Sequence, residues 1–216
     1  MIQKLNALVV GGTGLIGKEL CRLLAADNTY DKVISLVRNQ SKQVSGIIEQ
    51  VVAFDNLAKT TVDNSIDVAF CCLGTTMKKA GSKDAFFKVD FEYVESFAKL
   101  AQENGAKKFL LVTAIGADEN SMFYYNRVKG KIENTIKKLP FTSIHIFRPS
   151  LLIGEREDKR FGEDISKLVF KNLYFLIPSK YKGIEGLQVA KGMLKASKTK
   201  NEGIFIYESN IIQGMV

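Results

Sequence analysis

Gly11, Gly14 and Gly17 recur at a spacing of three, directly after the apolar run Leu5 to Val10 and just ahead of a helix-forming stretch. Residues so placed hold phosphate. A tight turn needs a residue without Cβ at Gly11, and close approach of phosphate to backbone needs another at Gly14. Close packing of helix on strand needs the third at Gly17. The helix N-terminus that follows offers unpaired N–H donors and a partial positive charge. The ligand this spacing fits is a dinucleotide pyrophosphate, held over Gly11, Thr13, Gly14, Leu15, Ile16 and Gly17.

The second apolar run ends in Arg38, about 20 residues past the last of these glycines, where the acidic partner of a ribose 2′-hydroxyl ordinarily stands. A carboxylate there would select NAD. An arginine suits the 2′-phosphate of NADP, which its planar fork grips through two charge-assisted hydrogen bonds. No acid lies between Ile34 and Lys42, so NADP is expected in preference to NAD. Asp55, after the third run, is placed either to accept from the adenine amino group or to serve as an ordinary turn aspartate.

Tyr125 and Lys129 stand four apart, on one face of a helix. Reduction of a carbonyl, or oxidation of the alcohol, needs a group that gives or takes the oxygen's proton. A phenol with an ordinary pKa near 10 does this poorly at neutral pH. An ammonium one turn away favours the phenolate and holds ribose hydroxyls as well. With lysine so abundant the pair alone is weak evidence; its position on the helix after the fifth strand makes it informative.

The elements that must carry these residues read as alternating strands and helices, the pattern of βαβ units and a parallel sheet. Strands are expected at 5–10, 32–38, 47–53, 66–73, 107–113, 142–147 and 203–207. Helices are expected at about 15–26, 84–104 (closed by Gly105), 121–138 and 184–197. The periodicity weakens after Pro149, and residues 151–182 read as a small cap whose Phe161, Phe170, Tyr174 and Phe175 suit either a pocket wall or a core. The fold expected is α/β, a Rossmann-like doubly wound parallel sheet forming one domain over residues 1–216 with that small C-terminal cap. Ligands of such sheets lie beyond the carboxyl ends of the strands, so Gly11, Arg38, Asp55, Gly74 and Thr113 should converge.

Composition narrows the field. Apolar content of 46% and charged content of 25% in 216 residues are those of an ordinary globular domain. No apolar run approaches a membrane span, and no separate apolar leader precedes the first strand, so a cytoplasmic protein is expected. Cys21, Cys71 and Cys72 fit neither a disulfide framework nor a metal site, and the vicinal pair reads as small buried core. The net charge of +8 is carried largely by lysines spread along the chain. Without clustered arginine and interleaved aromatics, this is a solvated surface and not a nucleic-acid site. His145, the one histidine, lies in an apolar strand and reads as a core residue, while Lys78, Lys79 and Lys83 read as a solvated loop near the site.

Gly11 to Gly17, the strand ending in Arg38, Tyr125-x-x-x-Lys129 and Phe147-Arg148-Pro149-Ser150 together resemble the short-chain dehydrogenase/reductase superfamily. Phe70 to Thr76 and Tyr125 to Glu133 are especially similar to its atypical branch of small NAD(P)H-binding proteins, the TIP30-like group. The resemblance implies a sheet that binds NADP(H), with Tyr125 and Lys129 in the catalytic positions. It also implies Leu73, Gly74 and Thr75 along the adenosine ribose, and Pro149, Ser150 and Leu151 against the nicotinamide. One position departs. The hydroxyl residue usual near the end of the fifth strand falls on Ala114, with Thr113 one residue earlier as a possible helper. Neighbours on a strand face opposite ways, and a missing oxyanion donor costs on the order of 10²-fold in rate. Two functions follow: an NADP(H)-dependent reductase of a small carbonyl compound, or a non-catalytic NADP(H)-binding regulatory protein acting through protein partners. The substrate and the oligomeric state are not written in the sequence.

Overall fold

A computed structural model describes residues 4–41, 44–62, 65–153, 178 and 181–216. Strands β1 (Leu5–Val10), β2 (Tyr30–Val37), β3 (Ile48–Val51), β4 (Val68–Cys71), β5 (Lys108–Val112), β6 (Ser143–Arg148) and β9 (Gly203–Glu208) form one sheet in the order β3-β2-β1-β4-β5-β6-β9. Every pairing in it is parallel. Sequence order reverses between β1 and β4, the doubly wound arrangement, and the loops after β1 to β6 therefore open on one edge. A two-residue ladder joins β7 (Leu152–Ile153) to β8 (Ile184–Glu185).

Helices cover both faces, so the central strands are apolar on both sides instead of alternating. In β1, Leu8 and Val10 join one core, with Val94 and Phe97 of helix α4 (Tyr93–Glu103) and Ile132 and Ile136 of α5 (Tyr124–Ile136). Ala7 and Val9 join the other, with Ile16, Leu20 and Leu24 of α1 (Leu15–Ala25) and Val189 and Met193 of α6 (Gly186–Ser197).

Three features differ from the expected elements. The segment from 76 to 103 is not one regular helix: the short α2 (Met77–Ala80) and α3 (Lys83–Phe87) precede a π-helical turn at Lys88–Glu92, which leads into α4. A π turn adds a residue to the helical repeat, which periodicity reading does not detect. Asp55 falls not at a strand end but in a 3-10 turn, Phe54–Lys59, because β3 stops at Val51. A last helix, α7 (Ser209–Gly214), follows β9. Most of the cap expected at 151–182, including Phe161, Phe170, Tyr174 and Phe175, lies outside the described residues.

Candidate functional site

The loop from β1 into α1 is shaped by what its glycines lack. Gly11 has a φ of +78°, and a Cβ there would lie 2.6 Å from the Cys72 carbonyl carbon and oxygen. A Cβ on Gly17 would lie 2.1 Å from the Gly11 oxygen. The turn is closed by the Gly14 N–H, which donates to the Gly11 carbonyl at 3.0 Å. Gly14 is also the N-cap of α1; no side chain caps the helix and its first turn carries no acid. Its first N–H groups are therefore open to an outside acceptor. Thr13 and Gly14 are exposed, Leu15 is half-buried, and Ile16 lies in the core, so only its backbone faces the loop. This cradle fits a pyrophosphate: it is uncapped, lacks a competing carboxylate and has no room for a Cβ at Gly11 or Gly17.

Arg38 is the first residue past β2, exposed, and forms no ion pair with another described residue. Asp55 is exposed too, but its Oδ1 already accepts from the Tyr93 hydroxyl at 2.7 Å and pairs with Lys88 Nζ at 2.6 Å. The Lys88 hydrogen bond, with that from Tyr93, holds its carboxyl below the usual range. The adenine contact considered for Asp55 would have to share these partners.

Helix α5 presents Tyr125, Lys129 and Glu133 in one row, four residues apart. The half-buried Tyr125 ring packs on Phe86 with centroids 5.3 Å apart. Lys129 is buried, and its Nζ lies 2.7 Å from Asp90 Oδ1 in the π-helical turn. Asp90 Oδ2 accepts the Thr75 backbone N–H at 2.9 Å, so the Leu73–Thr75 segment after β4 meets the same carboxylate. Burial by itself would lower the Lys129 pKa; Asp90, then Tyr125, outweigh it and hold the ammonium above its ordinary 10.5. Asp90 escaped the sequence reading, although a signal existed. It stands on the buried stripe Phe86, Asp90, Val94, Phe97, an acid where the helix is otherwise apolar.

Thr113 follows a different course from the helper role considered for it. Its hydroxyl donates to Glu133 Oε1 at 2.7 Å and the residue is buried, so its single proton is committed within the protein. Glu133 in turn takes a two-pronged hydrogen bond from Arg148, with Nε to Oε1 at 2.9 Å. These three residues form a structural clamp joining β5, α5 and β6. Ala114 beside it carries no hydroxyl. An open cavity of about 530 Å³ lies by this clamp, walled by Asp118, Glu119, Ser121, Gly130 and Arg148, and contains none of the residues nominated for the nucleotide.

Pro149, Ser150 and Leu151 continue from β6. The Pro149 carbonyl accepts the Ile115 N–H at 2.9 Å, which ties this segment to the one after β5. The Ser150 N–H donates to Ser209 Oγ at 2.8 Å, its hydroxyl donates to the Lys182 carbonyl, and Leu151 is largely exposed. His145 is buried between Ser143 Oγ (2.8 Å) and the Tyr207 hydroxyl (2.9 Å), stacked on Phe205. Burial drives the Cys71 thiol up to about 12 and Cys21 to about 11, and raises Cys72 as well. Lys78 and Lys79 lie in α2, and Lys83 sits over the Tyr124 ring.

The parallel sheet thus brings the ends of β1, β2, β4, β5 and β6, with Gly11, Arg38, Gly74, Thr113 and Pro149, to one edge. A glycine turn at the switch of strand order, leading into a helix N-terminus, marks a dinucleotide-binding Rossmann-like fold. A family model described as NAD(P)H-binding matches residues 11–157. The chain is 34% identical over 177 residues to Protein HTATIP2 of Rattus norvegicus, which covers 80% of this chain and 73% of that one. It is 37% identical over 173 residues to Protein FMP52, mitochondrial, of Eremothecium gossypii, covering 79% and 77%. Among solved structures, a short chain dehydrogenase family protein from Francisella tularensis has a TM-score of 0.71 at 15% identity, covering 97% of this chain and 99% of that one. The UDP-glucose 4-epimerase with UDP-glucose from Thermotoga maritima has a TM-score of 0.70 at 15% identity, covering 97% and 80%. The chain belongs to the NAD(P)H-binding family of short-chain dehydrogenase/reductase fold, with HTATIP2 and FMP52 as homologues.

Proposed function

We propose that this protein is an NADP(H)-dependent reductase of a small carbonyl compound. The observation that carries the reading is Lys129, buried and held charged beside the segment after β4, with Tyr125 one turn before it on the same helix face. When bound, the cofactor supplies hydride at the nicotinamide C4. Tyr125 gives the carbonyl oxygen its proton through the phenolic Oη. Lys129 holds the nicotinamide ribose through its ammonium donors. The backbone of Gly11 to Gly17 holds the pyrophosphate, Leu73 to Thr75 run along the adenosine ribose, and Pro149 to Leu151 meet the nicotinamide. Arg38, exposed and without an ion-pair partner among the described residues, takes the 2′-phosphate. We place the protein in the cytoplasm, a reducing compartment that suits three cysteines free of disulfides.

A second reading, a nucleotide-binding protein that acts through partners, is favoured by one observation: Thr113 spends its hydroxyl on Glu133 and Ala114 has none, so β5 offers no side-chain oxyanion donor. Thermal unfolding with NADPH, NADP, NADH and no ligand comes first. A ligand at 100 times its Kd adds about 2.7 kcal/mol, or about 5–10 °C for a domain of this size. Shifts with the phosphorylated nucleotides alone support the cofactor assignment; no shift with any of them overturns it. Tyr125→Phe then separates the two readings. A reductase loses on the order of 10²–10⁴-fold in kcat while keeping its NADPH affinity; a protein with no NADPH oxidation to lose across a carbonyl panel is the binding protein.

A further inference from the structure

Asp90 is a carboxylate that the fold buries at a cost. Its side chain is 0% exposed and that of Lys129 is 4% exposed. Such pairs lose several kcal/mol per ion in desolvation, and well-packed apolar residues in their place are often no less stable. The neighbours on its stripe, Phe86, Val94 and Phe97, are apolar and fully buried, so packing alone would favour another of their kind. The carboxylate is nevertheless held at both ends. Thr75 donates its backbone N–H to Oδ2, and Oδ1 faces the Lys129 ammonium. Gly74 lies directly against the pair: a Cβ there would stand 3.5 Å from both Asp90 Oδ1 and Lys129 Nζ.

Resting on the reading of Lys129 as the residue that holds the nicotinamide ribose, we propose that Asp90 is the positioning residue of this site, anchored by Thr75 and fixing the Lys129 ammonium in place. An ammonium has three donors. Asp90 Oδ1 meets it as an ion pair at 2.7 Å, which leaves donors for the two adjacent hydroxyls of a ribose. The same carboxylate keeps the buried lysine protonated. The other titratable groups about Lys129 are Tyr125 on its own helix and Cys71 at the end of β4, whose thiol burial raises to about 12. The charges on adjoining elements are engaged elsewhere: Lys83 lies over Tyr124, Lys88 pairs with Asp55, and Glu133 is clamped by Arg148.

The test is NADPH affinity, followed by nucleotide fluorescence from pH 7 to 10, in four full-length proteins that all carry Tyr125→Phe, which removes the phenol beside Lys129. These are the parent, Asp90→Asn, Lys129→Met and the double variant. Asparagine keeps an acceptor for Thr75 and removes the charge. The parent should bind NADPH equally across the range. Asp90→Asn should bind at least about tenfold more weakly at pH 7. It should then lose about a further tenfold per pH unit once the unpaired lysine sheds its proton. The double variant should bind within about threefold of Lys129→Met, because a positioning residue has nothing left to position. Asp90→Asn binding like the parent at every pH, or losses that add in the double variant, overturns the inference and leaves the nucleotide reading standing. A parent that binds no NADPH overturns both. Should Asp90→Asn fail to fold, the double variant, with neither charge buried, decides against Lys129→Met: equal affinity supports the inference, and a further loss beyond threefold overturns it.

Discussion

Arg38, just past β2, and His145, within β6, are both polar side chains, and what surrounds them sets opposite fates. Arg38 has solvent around it and no ion-pair partner among the described residues, so its guanidinium is free for a phosphate. Arg38→Asp is expected to weaken NADP by about 1.5–3 kcal/mol, the strength of hydrogen bonds to a charged group, and to leave NAD unchanged or improved. Titrations of both nucleotides check this, and equal losses would remove the 2′-phosphate assignment. His145 is enclosed, and burial, with Lys108 nearby, lowers its pKa to about 4 against an ordinary value of 6.5. The unfolded chain therefore binds the extra proton first as the pH falls. The contribution of this neutral imidazole to stability is fully present above pH 6.5 and is lost between 6.5 and about 4, by at most about 3 kcal/mol. Thermal unfolding across that range should show the loss, and His145→Gln should flatten it. Tyr125 and Lys129 were legible because a pair four apart needs only one helix to meet. Thr113, Glu133 and Arg148 were not, since their contact needs three elements to dock before any one of them has a partner.

At the scale of elements, close approach and not propensity decides the sharpest case. Alanine is the better helix former, yet a Cβ at Gly17 would press to 2.1 Å of the Gly11 oxygen. Gly17→Ala is therefore expected to move α1 away from the turn. The variant should cost on the order of 1–3 kcal/mol, as overpacking does, and weaken every nucleotide alike, which unfolding and binding measurements together would show. Its failure to discriminate between NADP and NAD would set it apart from Arg38→Asp. Most strands and the helices α1, α5 and α6 were readable because their apolar residues recur at the right period. The π-helical turn was not. Phe86, Asp90, Val94 and Phe97 keep the spacing of an ordinary helix, so a period of 3.6 does not reveal the turn, whose only mark is one acid on an apolar stripe. The short α2 and α7, of 4 and 6 residues, are too brief for a periodic signal at all.

Across the whole molecule, the Glu133 clamp is where the halves of the sheet edge are fastened. It joins β5 through Thr113 and β6 through Arg148 from a buried position on α5. Glu133→Ala leaves the guanidinium without its carboxylate, and breaking a buried pair of this kind costs about 3–5 kcal/mol, or about 6–20 °C in Tm. A drop of that size, read by thermal unfolding without nucleotide, would mark the clamp as scaffold. The other fastening comes from the far end of the described chain. β9 pairs with β6, Tyr207 holds His145, and Ser209 receives the Ser150 N–H. Chains are made from the N-terminus onward, so the parts of this site have different birthdays. The glycine turn leaves the ribosome before the rest of this sheet edge. The segment at Ser150 waits for residues 203–214, and a nascent chain halted at residue 200 would carry the whole glycine turn while Ser150 still lacked its Ser209 partner.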